Sequence, residues 1–396
     1  MHKILTMNPI SVKGLERFPR DRYEIASEMG HPDALLVRSA KVTAAHLTPG
    51  LRAIARAGAG TDNIPVAECT KRGIPVFNAP GANANAVKEL VLAGMLLSSR
   101  NLLESIRYVD SLAGQSLDDA AMHKAVEGEK KKFVGAELRG KTLGVAGLGA
   151  IGSLVAEMGL SMGMKVLGYD PAISVDAAWR LPSTVQRMEN LPTLISRSDY
   201  VSLHLPLMAE TRGLINKETL AFFRPDARLL NFSRDGIVEP DAVAAALENH
   251  KLGAYISDFP HPSLLGRRGV LATPHLGAST GEAEENCAMM VADQLVNFLE
   301  NGNVTNSVNF PSLVLERTGG HRIALVNHHV PRMLSQVLTL LGEHNLNVMD
   351  MLNKSRDELA YNLIDVDPLP PKGLIERLAQ LDGVISVWQV PQGKTP

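Results

Sequence analysis

Cysteine is scarce: Cys69 and Cys287 are the only two in 396 residues, far apart and in no C-x-x-C spacing. That excludes a disulfide framework, gives no structural zinc pattern and suits a reducing compartment. Neither sign of charge is in useful excess, since 40 basic against 42 acidic residues leave a formal net charge of −2. No general attraction to nucleic acid or to an acidic membrane surface follows from such a balance. No apolar run reaches the length of a membrane span, and Met1-His2-Lys3-Ile4-Leu5-Thr6 enters strand-like sequence without a leader pattern. These absences predict a cytoplasmic protein whose partners are small molecules, with no metal, and the length predicts two or three domains.

Against that background one motif stands out. Gly147-Leu148-Gly149-Ala150-Ile151-Gly152 follows the apolar run 143–146 and is followed, eighteen residues on, by Asp170. Three glycines let a strand turn sharply into a helix, let backbone approach a pyrophosphate and let the helix pack closely on the sheet, while the helix N-terminus favours the anion. Residues 165–169 form a second short apolar strand ending at Asp170. Its carboxylate can accept hydrogen bonds from a ribose diol and would repel a 2′-phosphate. NAD is therefore the expected cofactor, held by Gly147, Gly149, Ala150, Ile151, Gly152 and Asp170.

Along the chain, apolar runs at 4–7, 34–37, 52–57 and 75–77 read as buried parallel strands of a small α/β domain, with a helix over 86–97 leading out of it. Residues 114–140 read as charged and irregular, and Lys130-Lys131-Lys132 as a solvated face. From 141 to 280 the strand-then-helix rhythm of a doubly wound sheet resumes, with later strands at 200–205, 228–232 and 254–257. Ligands of such sheets bind at the carboxyl ends of the strands. Chemistry is therefore expected in His204-Leu205-Pro206, Ser233-Arg234-Asp235-Gly236 and Asp258-Phe259-Pro260. A helix over 288–299 follows. The last eighty residues read as strand, helix, two strands, helix and strand, the βαββαβ ferredoxin-like plan. No catalytic cluster is visible there, which suggests a regulatory or oligomerising module.

The order of these motifs resembles the D-2-hydroxyacid dehydrogenase family over essentially the whole chain. The resemblance is carried by the glycine turn with Asp170, by Asn231-Phe232-Ser233-Arg234, by Asp258-Phe259-Pro260, and by Thr273-Pro274-His275-Leu276-Gly277-Ala278-Ser279-Thr280 with residues 282–286. The C-terminal segment resembles an ACT domain. What this implies is an α/β protein with a Rossmann-type doubly wound NAD domain, 96–284, inserted in a flavodoxin-like substrate domain, 1–95 with 285–310. An ACT-like regulatory domain, 318–396, would follow.

The resemblance also implies NAD-dependent oxidation of a 2-hydroxy acid by a homo-oligomer. Arg234 would grip the substrate carboxylate and keto oxygen, and His275 would exchange the hydroxyl proton. The chemistry agrees: the proton needs a base with a pKa near working pH, and a guanidinium is a rigid fork for an α-hydroxy carboxylate. His204, Phe232, Ser233, Asp258, Gly277 and Ala278 would join the cofactor contacts. Arg38, Arg56 and Asn78, at strand ends, would hold the substrate, two arginines suiting a phosphorylated acid; an ion pair within the domain is the other reading of each arginine. By the ACT match, Asn327, His329 and Asn347 would bind an effector, L-serine, with Arg332 where a glycine is usual. A hydroxypyruvate or glyoxylate reductase and a NAD-sensing, corepressor-like binding protein are the alternatives within the same family.

Two departures from the family pattern bear on the site. The family's glutamate beside the catalytic histidine has no counterpart in Ser257-Asp258-Phe259-Pro260-His261-Pro262. Either Asp258 serves His275, or the pair is absent and Asp258 sits at the nicotinamide side of the cofactor. The second departure is Arg234-Asp235-Gly236, where Arg-Gly is usual.

Overall fold

The computed structural model describes residues 1–317 and 319–392. They form two compact units, one of Met1–Asn83 with the chain from Gly281 onward, the other of Ala84–Thr280.

The first unit contains a parallel sheet of β1 (His2–Thr6), β2 (Tyr23–Ala26), β3 (Ala34–Val37), β4 (Ala53–Arg56) and β5 (Val76–Phe77), ordered β2-β1-β3-β4-β5. The central strand β3, Ala-Leu-Leu-Val, is buried throughout, as a parallel strand covered on both faces must be. β2 went unread in the sequence because it is a half-buried edge strand, Tyr-Glu-Ile-Ala, with no continuous apolar run. The helix Gly281–Asn301 lays Cys287, Val291, Leu295 and Phe298 on this core, a single stripe at helical spacing.

The same unit holds an antiparallel sheet of β13 to β16, numbered after the seven strands given below: β13 (His321–His328), β14 (Asn347–Arg356), β15 (Leu359–Asp367) and β16 (Val384–Val390), ordered β14-β15-β13-β16. Helices Met333–Glu343 and Leu374–Ala379 complete the βαββαβ order. Strand alternation gives the sheet two apolar faces. Ile323, Leu325, Ile364 and Val366 lie under the two helices, whereas Ala324, Val326, Tyr361 and Leu363 join the core around Phe77, Phe298 and Phe310. A run of ring contacts crosses that junction: Phe77–Phe298 at 5.5 Å, Phe298–Trp388 at 5.8 Å, Trp388–Tyr361 at 6.2 Å and Tyr361–Phe310 at 5.6 Å.

One charged pair is sealed inside this unit. Arg322 and Asp365, cross-strand partners on β13 and β15, are both 0% exposed. Nε and Nη2 of Arg322 donate to the two carboxylate oxygens at 2.7 Å each. The remaining donors reach the carbonyls of Asn301, Leu315 and Glu316 at 3.0, 2.7 and 3.0 Å. All five guanidinium N–H groups are thereby used, so the pair fastens the sheet to the helix end and to the segment that leads into it.

The second unit carries a seven-stranded parallel sheet of β6 (Thr142–Ala146), β7 (Lys165–Tyr169), β8 (Gln186–Arg187), β9 (Tyr200–Leu203), β10 (Arg228–Asn231), β11 (Ala254–Ser257) and β12 (Val270–Ala272), ordered β12-β11-β10-β9-β6-β7-β8. The helix Ala84–Arg100, read from the sequence as leading out of the first domain, packs here through Val87, Val91 and Met95. Residues 114–140 are less irregular than their charge suggested. Asp118 caps a helix over Asp119–Glu129 by accepting from Ala121 N at 2.8 Å, but that helix buries none of its residues, so no apolar stripe marked it in the sequence. Lys130 and Lys132 are exposed there and pair with Glu127 and Glu129. Among the described residues no helix is long and apolar enough to cross a membrane.

Replacing Arg322 by Ala leaves a buried carboxylate unpaired and three carbonyls without donors. The first unit should lose about 3–5 kcal/mol of stability. Urea unfolding followed by Trp388 fluorescence reads this out, since the only other tryptophan, Trp179, is 84% exposed and already in solvent. A loss below about 1 kcal/mol would show that the pair is dispensable.

Candidate active site

The carboxyl end of β6 runs into the glycine turn. Gly147 adopts φ +89°, and a Cβ there would lie 2.3 Å from the His204 carbonyl oxygen. At Gly152 a Cβ would lie 1.8 Å from the Gly147 carbonyl oxygen, so the first turn of the helix Ala150–Ser161 presses directly on the loop. At Gly149, by contrast, a Cβ would meet nothing within 4 Å, which leaves the helix N-terminus open to an anion. Asp170, at the end of β7, accepts from Leu148 N at 2.8 Å and Ala172 N at 2.9 Å, one bond to each carboxylate oxygen. Each oxygen keeps a lone pair for a diol hydroxyl. A cradle that side chains would fill, an open helix end and an oriented carboxylate fit a dinucleotide with an unmodified adenosine ribose.

His204 follows β9. Its Nε2 pairs with Ser202 Oγ at 2.8 Å, and its Nδ1 is enclosed with no protein partner. Burial drives its pKa down from 6.5 to about 3, so the ring is neutral near neutral pH.

At the neighbouring strand ends, Ser233 donates Oγ–H to the Leu203 carbonyl at 2.7 Å, tying the loop after β10 to β9. Phe232 corrects the sequence reading. Its side chain is 6% exposed and packs in the core beside Gly94, leaving only main chain at the sheet edge. Arg234 is exposed, and its Nη1 donates to the adjacent Ser233 carbonyl at 2.7 Å, leaving the fork otherwise available.

Asp258, at the end of β11, is 1% exposed. Its carboxylate accepts from Thr273 Oγ1 at 2.8 Å, Leu276 N at 2.6 Å and Gly277 N at 2.7 Å, while its carbonyl accepts from His275 N at 3.0 Å. It thus holds the loop that carries His275 in the left-handed conformation, φ +56°. It does so without touching the imidazole. Among the described residues no carboxylate pairs with that ring, whose recorded neighbour is Phe259 at 5.0 Å between ring centroids. The imidazole is exposed, as is Ala278. The glycine turn, Asp170, His204, Arg234, Asp258 and His275 all lie at the carboxyl edge of one parallel sheet.

In the first unit, Arg38, Arg56 and Asn78 lie at the carboxyl ends of β3, β4 and β5. Arg56 donates to the Arg38 carbonyl at 3.1 Å and the Gly60 carbonyl at 2.6 Å, and Asn78 donates to the Ala59 carbonyl, so both brace the turn 58–63. Arg38 reaches Glu284 Oε1 through Nη2, a partner that nothing in the sequence pattern suggested.

On the C-terminal sheet a small pocket of about 200 Å³ is lined by Asn327, His329, Arg332, Ser335 and Asn353 among others. Arg332 takes φ +70°, a left-handed position that glycine adopts most readily. Asn347 does not join them. It pairs with Asp367 at the far end of β14, six residues from Asn353. Asn353 occupies the place instead and donates to Asn362 at 2.6 Å, which in turn donates to Asn327 at 2.7 Å.

Residues 101–277 match the model of the D-isomer specific 2-hydroxyacid dehydrogenase NAD binding domain. A D-3-phosphoglycerate dehydrogenase of Synechocystis sp. is 40% identical over 73% of this chain, which spans about half, 51%, of that relative's length. The D-3-phosphoglycerate dehydrogenase of Dictyostelium discoideum is 31% identical over 97% of this chain and 96% of its own length. The chain belongs to the D-isomer specific 2-hydroxyacid dehydrogenase family. The match to the family's NAD-binding domain falls within the second unit. Among solved structures, the NAD+-bound 3-phosphoglycerate dehydrogenase of Entamoeba histolytica superposes with a TM-score of 0.58 at 26% identity, over 79% of this chain and 99% of that one.

Two outcomes follow from this geometry. Gly152→Ala should weaken NADH binding at least tenfold, measured by NADH fluorescence titration, because the added methyl forces helix and loop apart; unchanged affinity would refute the close approach. His204 contributes in the opposite sense to a histidine whose pKa an acidic partner raises. It is neutral when folded and takes a proton when unfolded, so its stabilisation is present above about pH 6.5 and is lost as pH falls towards 3. His204→Gln, followed by urea unfolding at a series of pH values, should flatten the loss over that window.

Proposed function

We propose that the chain oxidises 3-phospho-D-glycerate to 3-phosphohydroxypyruvate with NAD, the first step of L-serine biosynthesis. The observation that carries this reading is one sheet edge bearing the dinucleotide turn, Asp170, Arg234 and His275 together. Relatives whose name is that activity support the choice of substrate.

When bound, NAD supplies the hydride acceptor. The exposed fork of Arg234 engages the carboxylate and the alcohol oxygen, orienting the substrate and stabilising negative charge as the hydroxyl proton leaves. His275 receives that proton. With no carboxylate on the imidazole among the described residues, its direction comes from the backbone that Asp258 holds and from the flanking Phe259 ring. Arg38 and Arg56 are read as the contacts for the phosphorylated end, and Asn78 as a contact for the carboxylate or its cleft. The βαββαβ segment is read as an ACT-like regulatory domain, with L-serine as effector in the pocket of Asn327, His329 and Asn353. The enzyme works as a homo-oligomer in the cytoplasm, a setting in keeping with two free, buried cysteines.

A second reading, reduction of hydroxypyruvate or glyoxylate, is favoured by one observation: Arg38 is already paired with a carboxylate. NADH oxidation with 3-phosphohydroxypyruvate against hydroxypyruvate, glyoxylate and 2-oxoglutarate separates the two. Preference for the phosphorylated acid is expected, and preference for an unphosphorylated one would transfer the function to a reductase. Silence on all would point to a NAD-sensing binding protein. Arg234→Ala and His275→Ala should each lower kcat/KM by about 10²–10⁴ while NADH binding persists. Unchanged turnover in both would remove their assigned roles.

A further inference from the structure

Glu284 stands in the first turn of the helix Gly281–Asn301 and takes the Nη2 of Arg38. Its neighbour Glu285 is held by Lys13 at 2.6 Å, so the two carboxylates have separate cations. The main chain of Arg38 is fixed on both sides: its N–H donates to Asn8 Oδ1 at 3.0 Å, and its carbonyl accepts from Arg56 Nε at 3.1 Å. With the main chain tied at both its polar groups, the carboxylate at its tip directs the Arg38 side chain. The pair is 42% and 40% exposed. It is accessible to a solute anion, and an ion pair in that setting is weak enough to exchange.

We infer that Glu284 is the specificity-determining counter-ion of a phosphate subsite at Arg38. Resting on the functional reading above, the assignment concerns discrimination between phosphorylated and unphosphorylated acids. In the free protein Glu284 keeps the guanidinium extended at the strand end. A phosphate dianion, with more charge and three acceptor oxygens, displaces the carboxylate; a neutral hydroxymethyl or a hydrogen at that end of the substrate does not. The displaced carboxylate remains close by and repels the incoming dianion, so Glu284 raises the KM of the phosphorylated substrate above the value Arg38 alone would give. Discrimination is therefore the balance of one attraction and one repulsion.

The test compares KM for 3-phosphohydroxypyruvate and hydroxypyruvate in the wild type, Glu284→Gln, Arg38→Met and the double variant, with inorganic phosphate as a competing probe. Neither single substitution removes a buried contact. In Glu284→Gln, KM for the phosphorylated acid should fall about three- to tenfold and the inhibition constant of inorganic phosphate should fall with it, while KM for hydroxypyruvate moves less than twofold. In the Arg38→Met background the same Glu284→Gln change should move the KM ratio less than it does beside Arg38, because no ion pair remains for the phosphate to displace and only the repulsion is relieved; equal effects in both backgrounds would overturn the counter-ion role. A wild type that prefers the phosphorylated acid, but whose KM ratio is the same in Glu284→Gln, overturns this assignment alone. A wild type indifferent to the phosphate overturns the functional reading, and this assignment with it.

Discussion

The buried carboxylate of Asp258 is the point on which the geometry of the sheet edge turns. Three donors from residues 273–277 converge on it, and the adjoining main chain receives His275 N and itself donates to the Asn231 carbonyl at 3.2 Å. The loop after β12 is thereby locked to β11 and β10. A left-handed φ at a residue with a Cβ is costly unless the surroundings over-determine it. Here they do, and the residue so held is His275. With no counterpart to the family's glutamate, Asp258 was one candidate partner for the His275 imidazole; in the fold the aspartate acts on the histidine's backbone and leaves its ring to solvent.

Much of the architecture was legible because its signals are local. A glycine turn between an apolar run and an acidic strand end, continuous apolar runs of parallel strands, and the strand and helix order of the last eighty residues all depend on short-range periodicity. The elements that escaped share a different property. β2 and β8 are edge strands, β12 is three residues long at the other edge, and the helix Asp119–Glu129 buries nothing. Where burial is slight, sequence carries little pattern to read.

Site residues divided along a similar line. The turn glycines and Asp170 were readable because their geometry follows from their own neighbours. That the Phe232 side chain turns to the core was not readable, because it depends on the helix that covers it, and that helix, Ala84–Arg100, lies far away in sequence. Asn353 went unread because the strand was expected to end at residue 352 and runs on to Arg356, which puts Asn353 opposite Asn362. The pairing of Glu284 with Arg38 carried no local signal, since the two are 246 residues apart.

Burial separates the charged groups that hold the structure from those left for chemistry. Arg322 and Asp365 are fully enclosed and use every guanidinium donor within the protein, while Asp258 is almost as enclosed and spends its carboxylate on one loop. Removing a charge from water is tolerable only when such partners replace the solvent, and here main-chain and side-chain groups of the protein do so. Arg234 and His275 are exposed and under-used, a state that costs little in water and keeps their donors and acceptors available. The edge of the sheet combines the two kinds deliberately close together. Saturated, buried charge fixes the main chain, and that fixed main chain is what lets an unsaturated, exposed side chain point in one direction without a partner of its own.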